Sequence, residues 1–400
     1  MISFELDDEQ QLVQDNVRSF AANRLWAHMR ETEAARGLPE EILAEAHTLG
    51  LGTLGLPEVV GGQGLSLVTR CLVEEALAWG DPGACWALGG PGTLGPVVME
   101  LGTEAQQREV LSRFTASDAA ARRGAVAWTE AHATGGGFMT TARAEGAQWV
   151  LDGVKAFVVN GGIADRMVVF AQVDADAGWD GVGAFVVPGD AAGLEAGPRR
   201  RPVGLDAAVI ADVLLDGVRV PDAARLRGGE NFASAVGRAF LRHALVVAAR
   251  AVGCAGRAFS LTRDYCAERR AFGKPIGHFQ AVAFTVADRL MDVESARWMV
   301  WRAASDWDRR GEPRPGEVAG ACAHALEVAL RCGDDGVQLH GGAGFIRDYA
   351  IEKLFRDARQ IAVMGPTVET LDGIGAAAEL GRPPDPQTLW PTSDAQPVCL

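Results

Sequence analysis

Two stretches of this chain combine side chains able to grip a phosphate and cover an apolar ring. The first is Tyr265-Cys266-Ala267-Glu268-Arg269-Arg270-Ala271-Phe272-Gly273-Lys274-Pro275-Ile276, followed by Gln280; the second is Gln338-Leu339-His340-Gly341-Gly342-Ala343-Gly344-Phe345. Arg269 offers a fork of donors. Gly341 and Gly342 let the main chain approach a ligand without a Cβ. Phe272 can cover a ring, and Gln280 and Gln338 can hydrogen-bond its polar edges. Taken singly, Arg269 is more often half of a helical salt bridge, with Glu268 or Asp264, and Phe272 is more often core. The full run makes binding the stronger reading. Tyr265 and Ile276 read as core in either case.

The elements that must position these runs fall into four parts. Residues 1–120 read as helices: Asp7 and Gln10 form a capping box before Val13, Val17 and Phe20, and Pro39 opens a helix that Gly50 stops. Residues 121–228 read as a β domain, with short runs at Trp149-Val150-Leu151, Met167 to Phe170, Ala184 to Pro188 and Val213 to Leu215. Asp152-Gly153 and Asp216-Gly217 read there as hairpin turns. Residues 229–380 return to the helical period, interrupted near Gly273-Lys274-Pro275 and Gly311-Glu312-Pro313. The tail, 381–400, is Pro-rich and is expected to be disordered or to lie on a neighbour. The layout is α+β, and no GxGxxG follows a strand, so a Rossmann site is not supported.

Composition narrows the function. The chain has 400 residues, 48% of them hydrophobic, enough for a large core. A net charge of −14 argues against a nucleic-acid surface. The N-terminus lacks a basic region followed by an apolar run, and no uninterrupted apolar stretch reaches ~18 residues, so no signal peptide or membrane span is expected. Seven scattered cysteines without a CxxC pair favour free thiols in a reducing, cytoplasmic setting. No metal-ligand spacing appears.

The two runs above, with Pro57 to Ser66, Trp128-Thr129-Glu130 and the segment from Lys353 to Thr367, resemble the acyl-CoA dehydrogenase family in order and spacing, to about residue 375. The resemblance implies an N-terminal helical domain, a central β-barrel or sandwich and a C-terminal four-helix bundle. It implies FAD, with Trp128, Thr129, Phe157, Val159, Arg269, Phe272, Gln280, Gln338, Gly341, Gly342 and Thr367 as cofactor-side residues. It implies that Arg269, Phe272 and Gln280 of one subunit and Gln338, Gly341 and Gly342 of another share the FAD, in a homodimer, a homotetramer or a heteromer. The implied electron acceptor is an electron-transfer flavoprotein.

The chain departs from that family at the chemistry. Gly365, followed by Pro366, stands where the family carries the Glu that removes the substrate α-proton. Phe157 replaces a Trp, and Val159 replaces a Thr whose hydroxyl bonds the flavin edge; Val cannot donate. Gly135 replaces a ligand-side Ser, and Asp206, Ala208 and Ile210 replace Arg, Ser and Thr. A subset of the family carries its base on the first long helix of the C-terminal domain. Counting back from Gly253 puts that position at His243, beside Arg242, on the substrate side. A His base of ordinary pKa ~6.5 suits proton abstraction; the plainer reading is a partly buried helix His. Glu369 reads as structural. Gly365 also predicts a pocket larger by a Glu side chain, for a bulky or branched acyl group.

Four functions follow, in order. The first is an FAD enzyme acting on an acyl thioester, acyl-CoA or acyl-carrier protein, with a relocated base. The second is a base-less partner subunit of a heteromeric dehydrogenase. The third is another flavin reaction such as monooxygenation, and the fourth is a non-catalytic binding protein.

Overall fold

A computed structural model of the chain describes residues 6–131, 137–229 and 231–381. Seven helices come first: α1 (Asp8–Phe20), α2 (Met29–Ala35), α3 (Glu40–Thr48), α4 (Leu67–Gly80), α5 (Pro82–Ala87), α6 (Leu94–Leu101) and α7 (Glu104–Thr115). The Asp7–Gln10 capping box forms as expected. Pro39 is the N-cap of α3 rather than its first residue, and Gly50 takes φ +70° just beyond the helix.

Strands then fill the middle: β1 (Gly124–Ala127), β2 (Thr141–Glu145), β3 (Gln148–Val159), β4 (Arg166–Gln172), β5 (Val182–Pro188), β6 (Leu194–Ala196), β7 (Ile210–Pro221) and β8 (Arg225–Leu226). They form one eight-stranded sheet in the order β6-β7-β3-β2-β4-β5-β8, with β1 parallel to β4. The two Asp-Gly pairs are not hairpin turns. Both lie inside the long antiparallel β3–β7 pair, where the register shifts between Leu151 and Gly153. Gly153 has φ +146° and Gly217 φ +62°, and the Gly217 N–H donates to Asp152 Oδ1 at 2.7 Å. A bulge accepts the same Asp-Gly chemistry as a turn. The β2–β3 hairpin turns instead at Gly146-Ala147, between the paired Glu145 and Gln148.

The rest is helical: α8 (Phe232–Glu268), a small hairpin of β9 (Arg270–Ala271) and β10 (Lys274–Pro275), then α9 (Gln280–Arg310), α10 (Pro315–His340), α11 (Ile351–Ile361) and α12 (Val368–Glu379). Asn231 caps α8 by accepting from Ser234 N. This helix is long and apolar enough to cross a membrane by length and composition, but 78% of its apolar window is buried inside the protein. Its Ala, Val, Leu and Gly residues pack against α4, α10 and α11 in the main core. Each fully buried Val or Leu there contributes about 1.5–3 kcal/mol. Small residues set how closely α8 crosses α4: a Cβ on Gly253 would lie 2.2 Å from the Glu75 carbonyl oxygen. That close crossing brings His243 and Arg250 of α8 to the same cleft as Arg70 and Glu74 of α4.

Candidate active site

A cleft of about 1410 Å³, counting its solvent-open part, lies between the sheet, the α4–α6 region and α8. Its β wall is made by Trp128 and Thr129, just after β1, and by Phe157 and Val159 near the end of β3. A buried ion pair fixes this wall. Lys155, fully buried, donates to Glu130 Oε1 at 2.7 Å and to the Trp128 carbonyl at 3.2 Å. Glu130 also accepts from the N–H groups of Met139 and Thr140. Burial lowers the Lys155 pKa to about 8, against the pull of Glu130. The register shift between Lys155 and Val158 turns Phe157 out at φ +54°, with 42% of it exposed. Its N–H is held by Asp212 Oδ1 at 3.1 Å. A ring held on a strained backbone beside Thr129 and Val159 fits the flat, apolar flavin ring.

His243 forms the opposite wall. Its Nε2 lies 2.8 Å from the Met364 carbonyl oxygen and its Nδ1 lies 3.2 Å from Thr93 Oγ1. A carbonyl only accepts, so Nε2 carries the proton and Nδ1 holds the lone pair, an assignment made from the hydrogen-bond network. Burial lowers the His243 pKa to about 4, although the Met364 bond opposes the shift. The imidazole is therefore neutral near pH 7. Gly365 is its direct neighbour. A Cβ at Gly365 would sit 3.5 Å from Val247 Cγ2 and 3.8–3.9 Å from the His243 ring. A side chain at position 365 would thus begin against the His243 ring, which takes up part of the space in front of Gly365.

Beyond His243 the cleft ends in charge. Arg250 lies two turns further along α8, stacks on Trp86 at 4.3 Å and donates from Nε to Glu74 Oε2 at 2.8 Å. Arg70 reaches only 3.7 Å from Glu74 Oε1. Burial opposes both cations. For Arg250 the Glu74 carboxylate wins and the pKa rises; for Arg70 the net shift is downward.

The remaining predicted residues lie elsewhere. Arg269, Phe272 and Gln280 are exposed, Phe272 at 95%, which excludes a core role for that ring within the chain. Gly341 and Gly342 are also exposed. The Tyr265 hydroxyl donates to the His340 carbonyl at 3.3 Å, and the two rings stack. The two runs are therefore neighbours at one end of the chain. At ~1.5 Å per residue, Arg269 is ~39 Å along α8 from His243.

Arg242 turns away from the cleft, donates to Glu100 at 3.1 Å and stacks on Trp307. These contacts hold its side chain outside the cleft lining. Thr367 lies outside the cleft lining and caps α12 by accepting from Thr370 N; Glu369 is exposed in the first turn of that helix. Ala208 and Ile210 are core, and Asp206 pairs with Arg356 at 3.3 Å. Gly135 lies outside the described residues. Six described cysteines are free and buried, and no metal-ligand cluster occurs among the described residues.

Sequence reasoning missed Thr93, Arg70, Glu74, Arg250 and the pinning role of Lys155. A signal existed for two of them. Arg250 interrupts the apolar run from Ala244 to Val252, and Lys155 interrupts an apolar strand. Arg70 and Glu74 stand at i,i+4, which reads as an exposed helical pair.

Comparison with known proteins agrees with this architecture. Sequence models of the acyl-CoA dehydrogenase N-terminal, middle and C-terminal domains match residues 7–118, 125–218 and 232–379. A probable acyl-CoA dehydrogenase of Mycobacterium tuberculosis is 34% identical over 362 residues, covering 89% of this chain and 91% of the relative. Butyryl-CoA dehydrogenase from Megasphaera elsdenii superposes with a TM-score of 0.87 at 28% identity, covering 95% of this chain and all of that one. A glutaryl-CoA dehydrogenase from Mycobacterium smegmatis in complex with FADH2 superposes with a TM-score of 0.85 at 25% identity, covering 94% and 96%.

Proposed function

The chain belongs to the acyl-CoA dehydrogenase family, and from that premise we propose that His243 takes the α-proton that the missing carboxylate at Gly365 would have taken. The protein is an FAD-dependent oxidoreductase acting on acyl thioesters. When bound, FAD supplies the two-electron acceptor. The chain's own residues do the rest. Phe157, Thr129 and Val159 shape the flavin side of the cleft, and Lys155 with Glu130 keeps that wall in place. Met364 fixes the His243 tautomer, so that Nδ1 is the atom that accepts a proton. Thr93 holds that nitrogen's lone pair in orientation until substrate arrives.

The observation that carries this reading is the contact between the His243 ring and the point where a side chain at 365 would start. A base with a pKa of about 4 stays unprotonated throughout the neutral range, as a carboxylate does. The exposed Arg269, Phe272 and Gln280, with Gln338, Gly341 and Gly342, complete the cofactor site of a second copy in a homo-oligomer. An acyl-CoA or an acyl-carrier protein delivers the substrate, and an electron-transfer flavoprotein takes the electrons.

Anaerobic reduction of the bound flavin by a panel of acyl thioesters tests the proposal. Bleaching should occur with the wild type and be lost in His243→Ala. Equally fast bleaching in that variant removes His243 as the base. Absence of bleaching by every thioester with the chain alone favours the partner-subunit reading.

A further inference from the structure

From the charged end of the cleft we infer that the acyl group carries a carboxylate at its far end, held by Arg70 with Arg250 behind it. The inference rests on the acyl group lying in this cleft, as proposed above.

His243, Val246 and Arg250 share one face of α8 and line the cleft together. Seven residues separate His243 from Arg250, so the cation stands ~10.5 Å along the helix from the base. A chain entering past His243 therefore ends at Arg250, Arg70 and Trp86. Two guanidiniums and one carboxylate meet there, leaving one positive charge in excess. The excess is Arg70. Its 3.7 Å approach to Glu74 is an ion contact too long for a hydrogen bond, while Arg250 takes Glu74 at 2.8 Å. Gly55 makes the room for this guanidinium: a Cβ there would lie 3.1 Å from Arg70 Cδ and 3.2 Å from Nη1. The other buried cation nearby, Lys353, is fully engaged by Asp81 and Asp357 and does not line the cleft.

A cation facing a partly dry cavity without a hydrogen-bonding anion is a poor end for a neutral alkyl chain. Such a chain would desolvate Arg70 and give nothing back. A carboxylate would receive two parallel N–H donors from the fork. Trp86 and Leu88 give the methylenes before it an apolar wall.

The experiment pairs dicarboxylic with monocarboxylic CoA thioesters of equal length: glutaryl against pentanoyl, adipyl against hexanoyl. Binding to the FAD-loaded protein is followed by calorimetry, and flavin reduction is followed in parallel. At least one dicarboxylic thioester should bind about ten- to a hundredfold more tightly than its neutral partner. Arg70→Met should remove that preference while the neutral thioester's affinity changes less than about threefold, and Arg70→Lys should keep part of it. If Arg70→Met does not fold, Arg70→Gln takes its place beside Arg70→Lys, with FAD content as the folding check. Equal binding of both partners at every length, tighter binding of the neutral one, or no binding of either overturns the inference. Selective binding without flavin reduction upholds the inference and defeats the assignment of His243. Flavin reduction without selectivity overturns the inference and leaves the His243 assignment to the His243→Ala comparison.

Discussion

Two buried ion clusters flank the same helix, and they are built from inverted ingredients. In one, Lys353 lies between Asp81 and Asp357, at 2.6 and 2.7 Å. In the other, Glu74 lies between Arg250 and Arg70, at 2.8 and 3.7 Å. The first is closed. Gly83 N–H also donates to Asp81, and Leu205 N–H donates to Asp357, so each carboxylate is tied to backbone as well as to the lysine. Burial pushes the Asp81 pKa up, whereas for Lys353 burial is outweighed by the two carboxylates and the pKa rises. This cluster ties α5, α11 and the loop at Leu205 together, and α11 delivers the Met364 carbonyl to His243. The second cluster is open: one of its cations faces the cleft. A closed cluster fixes geometry, and an open one has donors left for a ligand.

The sharpest way to break this comparison is Lys353→Met. It strands two buried carboxylates and should cost about 3–5 kcal/mol in chemical denaturation. A loss under ~1 kcal/mol would mean that the closed cluster does not hold the fold. Lys155→Met leaves Glu130 in a similar position and serves as an internal reference.

The next effect is catalytic. His243→Ala should slow flavin reduction by about 10²–10⁴-fold. His243→Glu should restore part of the rate, because a carboxylate can do the same work from the same helix. Gly365→Glu in the wild type should slow the reaction, since its side chain must pass the His243 ring. The double variant Gly365→Glu/His243→Ala should recover reduction if the two positions share one role. Rapid-mixing absorbance measures all four, and a double variant no faster than His243→Ala alone would separate the two positions.

Local rules read well from the sequence where the answer is local. The Asp7 capping box, the strand runs in β3, β4, β5 and β7 and the breaks at Gly273 and Gly311 were all legible. Asp152-Gly153 and Asp216-Gly217 were misread because a bulge and a turn ask for the same residues. That the Arg269 and Gly341 runs lie at one end of the chain was not legible, since Tyr265 and His340 meet only through the crossing of α8 and α10. The open cluster was illegible for the same reason. Glu74 and Arg250 are 176 residues apart, and only the close crossing at Gly253 joins them.

A smaller effect concerns pH. The folded His243 pKa of about 4 lies below the ordinary value of 6.5. Between these values the unfolded chain binds a proton that the folded chain does not. Stability from this group is therefore full above pH 6.5 and falls as pH drops toward 4, by at most ~1.4 kcal/mol per pH unit. His243→Gln should flatten that part of the stability profile. The rate of flavin reduction should hold constant from neutral pH down to about 5 and fall below it; an inflection near 6.5 would mean that the base is not buried as described.

The smallest expected effect is the one that separates the two clusters most cleanly. Arg70→Met removes a part-buried cation where Lys353→Met removes a fully buried one, and it should cost less than ~1 kcal/mol. Glu74 keeps its hydrogen bond to Arg250, so no carboxylate is stranded. Burial already works against the Arg70 charge, so removing that charge relieves a desolvation cost that its long contact with Glu74 does not offset. Methionine keeps most of the apolar stem beside Gly55. Parallel denaturation of the two variants gives the answer. A cost for Arg70→Met near that of Lys353→Met would make Arg70 a structural cation and close the second cluster as tightly as the first.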